Sequence, residues 1–171
     1  FTGKDIQSIV ITGGIKLINP SKWFKDYTAL IDFDGAGLDL SMATDHSIEG
    51  LFMGCTSLET VSGIDAWGDT LYSIKDLFRG DVKLTTLSGI EYWLNTTNIT
   101  DMSGAFWNTS SLTELSFLRN WNVSNVTDFS NMFNGAVGLT SLNDIRVWDT
   151  SSAINVSGMF ANTKLTDVEL T

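Results

Sequence analysis

The sequence has very little cysteine, proline or positive charge. Its 171 residues include one cysteine, Cys55, and one proline, Pro20, against fifteen glycines. A lone cysteine excludes an internal disulfide framework, and many glycines with so little proline favour short elements joined by tight turns. The sequence has ten basic and twenty acidic side chains, which give it a net charge of −10. Nucleic acid and anionic membrane surfaces are therefore not expected as partners, because binding phosphates requires Lys and Arg.

Long apolar runs are absent as well. Stretches such as residues 9–11 are far shorter than the roughly 20 apolar residues of a membrane-spanning helix, so no membrane insertion is expected. The chain opens on Phe1 without a leader and is interpreted as a fragment or a processed form. Hydrophobic residues make up 43% of the sequence, which is enough for a real core and argues against disorder.

The sequence does contain a repeat of about 27 residues. Phenylalanine recurs at positions separated by 26, 28, 27 and 27 residues, and a tryptophan follows fifteen residues after each of the first four. The phenylalanines are Phe52, Phe78, Phe106, Phe133 and Phe160, and the tryptophans are Trp67, Trp93, Trp121 and Trp148. Apolar residues also recur six, nine and twelve positions after each of the first four phenylalanines. This pattern predicts one domain over 1–171, a solenoid in which each unit buries its apolar face against its neighbours.

The unit boundaries follow from these columns. A degenerate N-terminal cap covers 1–18, repeats cover about 19–46, 47–72, 73–100, 101–127 and 128–154, and a truncated unit covers 155–171. The first repeat is the weakest, since Asp39 stands where the tryptophan is expected. Degenerate terminal units are typical of repeat proteins, because their outer faces have no neighbour.

Within each unit, the residues that typically begin and end helices predict one short helical turn, and one short strand is expected after it. Good N-cap residues stand five positions before each of these phenylalanines and before Phe24 of the first repeat, and residues that tolerate the left-handed conformation stand mostly two positions after them. The first set is Asn19, Ser47, Ser73, Asp101, Asp128 and Asn155, and the second is Asp26, Gly54, Gly80, Asn108, Gly135 and Asn162. We therefore expect an α/β repeat solenoid of leucine-rich-repeat type. Short parallel strands would line one side and short helical turns the other.

The residues between 124 and 160 carry a family resemblance. Their sequence, SNVTDFSNMFNGAVGLTSLNDIRVWDTSSAINVSGMF, resembles the repeat of BspA-like leucine-rich-repeat surface proteins, and more closely the type found in mycoplasma lipoproteins and in cell-wall proteins of lactic acid bacteria. Parts of the same motif lie in 50–58 and 97–106. The resemblance implies an extracellular, surface-displayed adhesin or binding module, with the cell surface as its location.

No constellation typical of an enzyme emerges. Cys55 falls in a column that holds Asp81, Thr109, Ala136 and Thr163 in other units, which favours a structural role over a nucleophile. His46, the one histidine, lies in a loop. Asp32, Asp34 and Gly35 lack the remaining ligands of a calcium loop and are interpreted as a turn. We therefore expect a non-enzymatic protein with no cofactor and no metal.

Two surfaces are candidates for binding a partner. Trp107 follows Phe106 outside the repeat pattern and is predicted to face outward, so it is the best single contact candidate. A hydroxyl-rich, mildly acidic stripe is predicted on the strand face, through Glu59, Thr86, Thr113, Glu114 and Thr140. The four repeat tryptophans either pack in the core between loop and sheet or form a row of rings that stacks against sugars or peptides. Packing in the core is favoured, because the tryptophans occupy a fixed position in each repeat.

These patterns lead to two hypotheses of function. The first is a surface repeat domain that mediates adhesion by binding a host or cell-surface protein or glycan. The alternative is a structural spacer that projects other domains from the cell surface.

Overall fold

The computed structural model describes residue 3 and residues 5–93 and 96–168. Four strands form one parallel sheet in the order β1, β3, β5, β6, and two form a second parallel pair, β2 with β4. The strands are β1 (Ser8–Val10), β2 (Ile15–Lys16), β3 (Asp32–Asp34), β4 (Leu38–Asp39), β5 (Thr60–Ser62) and β6 (Thr86–Leu87). Ser8, Asp32, Thr60 and Thr86 are partners along the larger sheet. Residues one repeat apart therefore lie side by side.

A second ladder joins the units on the side of the phenylalanines. Isolated parallel bridges link the residues predicted as caps, namely Ser47, Ser73, Asp101, Asp128 and Asn155. Each predicted cap, Asn19 included, accepts a hydrogen bond through its side chain from the N–H two residues on, at 2.8–3.3 Å. These residues thus make the local hydrogen bond that an N-cap residue makes.

The segment after each cap consists of consecutive turns, where the sequence predicted a helical turn. In the second unit the N–H groups of Leu51 and Cys55 bond three residues back, whereas those of Gly50 and Phe52 bond to Lys75 and Leu77 of the next unit, at 2.8 and 3.1 Å. Every second N–H is thus used between units, which prevents the i→i−4 bonding of an α-helix. Among the described residues the helices are short 3-10 turns: Gly68–Thr70, Ile90–Tyr92, Thr96–Asn98 and Ser116–Leu118.

The backbone is left-handed twice in each turn segment. All six residues two positions after the phenylalanines have positive φ, as their side chains predicted. So do the six residues two positions before, which are Lys22, Gly50, Asp76, Gly104, Asn131 and Gly158. Glycine has no Cβ to oppose this conformation, and Asn and Asp are the side chains that next best tolerate it.

Aromatic rings run through the core. Neighbouring rings of Phe24, Phe52, Phe78, Phe106, Phe133 and Phe160 have centroids 5.6–5.8 Å apart. Burial of these rings and of the aliphatic columns around them supplies the main stabilising term.

Candidate functional site

The groove

An open groove of about 330 Å³ lies on the strand face between the third and fourth repeats. Thr85, Thr86, Leu87 and Glu91 line one wall, and Leu112, Glu114, Ser116 and Phe117 line the other. The Glu91 carboxylate accepts a hydrogen bond from the N–H of Gly89 at 2.8 Å, which fixes its position. The lining therefore combines hydroxyls, two carboxylates and an aromatic ring, and contains no basic side chain.

The groove lies where the strand ladder stops. Eleven residues after the phenylalanine, the two preceding units carry Gly63 and Gly89, with φ of 67° and 104°. The fourth repeat has Phe117 in this column, and a bulky residue strongly resists such φ values. Ser116–Leu118 forms a 3-10 helix there, and the Phe117 ring lies 5.9 Å from that of Phe106. The larger sheet accordingly ends at β6.

The predicted stripe residues are all exposed, and the structure brings some of them together. Thr86 and Glu114 both line the groove, one from the third repeat and one from the fourth. Glu59 is adjacent, since its carbonyl accepts hydrogen bonds from the N–H groups of Thr85 and Thr86 at 3.1 Å. Thr113 is exposed beside Glu114. Thr140 lies apart, in a second recess of about 460 Å³ near the C-terminal unit. Sequence reasoning missed Glu91 and Phe117, although a phenylalanine in a glycine column was the available signal.

Trp107, tryptophans and the buried carboxyl

Trp107 was predicted to face outward, and the structure makes it half-buried. The Arg79 guanidinium lies 4.0 Å from the centroid of its ring, and Asp76 lies 3.5 Å from Arg79. This cluster lines a separate recess of about 180 Å³ with Lys75 and Asp128. Trp107 therefore already has a cationic partner within the chain.

The repeat tryptophans are part of the core. Trp67, Trp93, Trp121 and Trp148 are at most 4% exposed. Their faces are not available to a sugar. The indole N–H groups of Trp93, Trp121 and Trp148 donate to carbonyls of the preceding unit at 2.6–3.2 Å, whereas that of Trp67 has no partner among the described residues.

Cys55 and Asp81 meet in the core. The Cys55 thiol donates to the carbonyl of Phe24 at 3.1 Å, and burial raises its pKa, which leaves it in the unreactive thiol form. Asp81 is fully buried, and burial raises its pKa well above the usual range. His46 instead packs against Tyr72, with ring centroids 4.9 Å apart.

The described residues contain neither a cluster that could bind a metal ion nor a helix that could cross a membrane. Within residues 5–93 and 96–168 no group of three or more His, Cys, Asp or Glu side chains could hold a metal ion. The Asp34 carboxylate accepts from the N–H of Ala36 at 3.0 Å, as expected of a turn. Over the same residues, no helix has the length and hydropathy required to cross a membrane.

Comparison with known proteins

A family model described as "Mycoplasma protein of unknown function, DUF285" matches residues 72–170, more than half of the chain. No curated protein matches the sequence.

Proposed function

Since the chain belongs to the DUF285 family, a group without an assigned activity, we propose that it is a non-enzymatic binding domain displayed at a cell surface. Its partner would be a host or cell-surface protein or glycan, bound on the strand face of a solenoid of leucine-rich-repeat type. Solenoids commonly bind partners on such extended surfaces.

The observation that carries this proposal is the groove between the third and fourth repeats. Thr86 and Glu114, both exposed, line it from neighbouring repeats, and Phe117 adds an apolar surface beside Glu114. Hydroxyls and carboxylates accept hydrogen bonds from sugar hydroxyls, amides or basic side chains, and an aromatic ring supplies contact area. A polar ligand rich in donors therefore suits the groove.

The non-enzymatic part of the proposal is supported by the two residues that could have served as a catalytic pair. Cys55 is buried as a thiol that donates to a backbone carbonyl, and His46 packs on Tyr72. A nucleophilic cysteine needs a base within hydrogen-bond reach, and these contacts occupy both groups elsewhere.

A binding screen with groove variants tests the proposal. The probes are a glycan array and purified extracellular-matrix proteins such as fibronectin and collagen. Thr86→Tyr fills the groove, and Glu114→Lys replaces one of its two carboxylates with a positive charge, so each should weaken binding of a genuine ligand at least tenfold, or about 1.4 kcal/mol. Thr56→Tyr and Asp5→Lys change exposed residues outside the groove and should leave binding intact.

The spacer alternative makes the opposite prediction. If no probe binds, or if a bound probe is unaffected by both groove variants, projection of neighbouring domains becomes the better account of the molecule.

A further inference from the structure

We propose that the groove between the third and fourth repeats holds the guanidinium group of an arginine side chain that a partner protein presents. This inference rests on the proposed binding function and names the chemical class of its ligand, so it favours a protein partner over a glycan. The groove is internal to the solenoid, because the third and fourth repeats each stack on a further repeat through their phenylalanine rings.

The third repeat supplies the groove with backbone acceptors that lack donors. In the second repeat, the carbonyls of Glu59 and Val61 accept hydrogen bonds at 2.8–3.1 Å from N–H groups of the third repeat. The carbonyls of Thr85 and Leu87 occupy the same two positions of the third repeat and have no donor among the described residues. Because β6 pairs in register with β5, these carbonyls point toward the fourth repeat and hence toward the groove. A ligand rich in N–H groups can satisfy them.

Two carboxylates in the groove have no cationic partner. Glu91 accepts one hydrogen bond, from the N–H of Gly89 at 2.8 Å. Glu114 is exposed and has neither a hydrogen bond nor an ion pair among the described residues. The ion pairs that the described residues do form lie elsewhere. Uncompensated carboxylates in a recess create a negative potential that attracts a cation.

Phe117 adds an aromatic surface to these acceptors. Its side chain is half-buried and lines the groove, with its ring centroid 5.9 Å from that of Phe106. A guanidinium is planar and weakly hydrated, so it stacks on an aromatic ring more readily than an ammonium does. It also presents more N–H donors, in a rigid fork that suits carboxylates and carbonyls. A ring beside several unused acceptors therefore favours arginine over lysine.

The chain already holds one of its own arginines in this way. The Arg79 guanidinium lies 4.0 Å from the centroid of the Trp107 ring, and its nitrogen lies 3.5 Å from a carboxylate oxygen of Asp76. That cluster lines a separate recess. The groove offers the same kinds of partner, a ring and carboxylates, without the cation. An arginine from outside the chain would complete the arrangement.

The size of the groove also favours a single side chain. At about 330 Å³ it is near the small end of ligand sites, which span roughly 300–1,000 Å³. A long side chain therefore fits it better than a chain of sugars does. Neutral sugars carry no charge to compensate Glu91 and Glu114, and sulfated or carboxylated glycans would be repelled by them.

Short peptides test the class of ligand. The probes are acetyl-Gly-Arg-Gly-amide and two matched peptides in which lysine or the uncharged isostere citrulline replaces the arginine. Each is titrated into the intact protein and followed by two-dimensional NMR. We expect the arginine probe to bind with a Kd of about 1 mM or tighter and to shift the signals of Thr86, Glu114 and Phe117. The lysine probe should bind about two- to fivefold more weakly, because it stacks poorly, and the citrulline probe about tenfold more weakly, because it has no charge.

Two variants separate the contributions of charge and ring. Glu114→Gln should weaken binding of the arginine probe about two- to fivefold, and the loss should shrink in high salt. Phe117→Leu keeps an apolar side chain but removes the ring, so it should abolish the preference for arginine over lysine. Asp149→Asn removes the same charge at an exposed residue outside the groove and should leave binding unchanged. If Phe117→Leu fails to melt cooperatively, Glu114→Gln and the lysine probe decide.

Three results would overturn the inference. The arginine probe could fail to bind at about 10 mM, well above the expected Kd. The lysine or citrulline probe could bind as well as the arginine probe, or Glu114→Gln could leave binding unchanged. The proposed function fails separately from this inference. If a glycan or matrix protein binds and Thr86→Tyr abolishes its binding, while the arginine probe does not bind, the groove is a binding site for a ligand other than a guanidinium.

Discussion

The N–H of Cys55 donates to the buried carboxyl of Asp81, one unit further along the chain, at 2.8 Å. The second oxygen of that carboxyl has no hydrogen-bond partner among the described residues. An ionised carboxylate in this position would be poorly solvated, and burial accordingly raises the pKa of Asp81.

This raised pKa makes stability depend on pH. Above the ordinary Asp pKa of 3.8 the unfolded chain loses the proton while the folded chain keeps it. The stabilising contribution is therefore complete below pH 3.8 and is lost as pH rises through the folded-state pKa. We expect Asp81→Asn to raise the melting temperature at pH 8, by ~2–4 °C for each kcal/mol relieved, and to lose this advantage near pH 3. Thermal melts across pH measure it, and Asp65→Asn, at an exposed residue, should show no such dependence. Equal pH profiles for wild type and Asp81→Asn would contradict it.

The tryptophan column offers a matched pair of substitutions. Trp93→Phe removes the donor to the carbonyl of Ile64, which is bonded at 2.6 Å and keeps a second bond from the N–H of Trp67 at 3.2 Å. Trp67→Phe removes an indole N–H that has no partner among the described residues. We expect Trp93→Phe to cost about 0.5–1.5 kcal/mol more than Trp67→Phe, the net contribution of one hydrogen bond. Urea denaturation of both variants gives the comparison, and equal costs would argue against the hydrogen bond as the cause.

The stacking of Arg79 on Trp107 predicts coupling between these residues. A double-mutant cycle with Arg79→Ala and Trp107→Ala should give about 0.5–1 kcal/mol of interaction energy, since the pair is partly exposed. Chemical denaturation of the four proteins measures it. Strictly additive losses would show that Trp107 is stabilised by packing alone, and a cycle with Arg119→Ala in place of Arg79→Ala is the control.

Gly104 is expected to be intolerant of a side chain for two reasons. Its φ is +63°, and a Cβ built there would clash with the carboxylate of Asp76 in the preceding unit. The left-handed conformation alone costs an alanine about 1–2 kcal/mol, so Gly104→Ala should lose more than this in equilibrium denaturation. Asp76→Gly should recover the part that is due to the clash. Gly13→Ala, where a Cβ meets nothing within 4 Å, should be close to neutral. The account is wrong if Asp76→Gly recovers nothing.

Much of the fold could be predicted from the columns alone. Residues such as Phe78, Leu84 and Ile90 fall on a fixed period, and all three are fully buried. Cap residues such as Asp101 make the predicted local hydrogen bond, because that bond depends only on the neighbouring backbone.

What escaped prediction depends on contacts between units. The turn segments are not helical because N–H groups such as that of Phe52 bond to the next unit, and a single unit gives no sign of this. The alternation of Gly50, Asp76 and Gly104 was the available clue. A Cβ on Gly104 would clash with the Asp76 carboxylate of the preceding unit, so an Asp or Asn in one unit restricts the same position of the next unit to glycine. Likewise the groove arises from Phe117 in a glycine column, and the burial of Trp107 from Arg79 one unit away.

The hydrogen bonds between the turn segments all run in one direction. Three at the first junction and four at each later one go from the N–H of the earlier unit to the carbonyl of the later unit. Bonds on the strand side, such as those from Thr85 and Thr86 to the carbonyl of Glu59, run the opposite way. The peptide dipoles of the turn segments, each about 3.5 D, therefore add along their own side of the molecule, and dipoles on the strand side oppose them. The turn side thus has an electrical direction, like a single α-helix, that the strand side partly cancels.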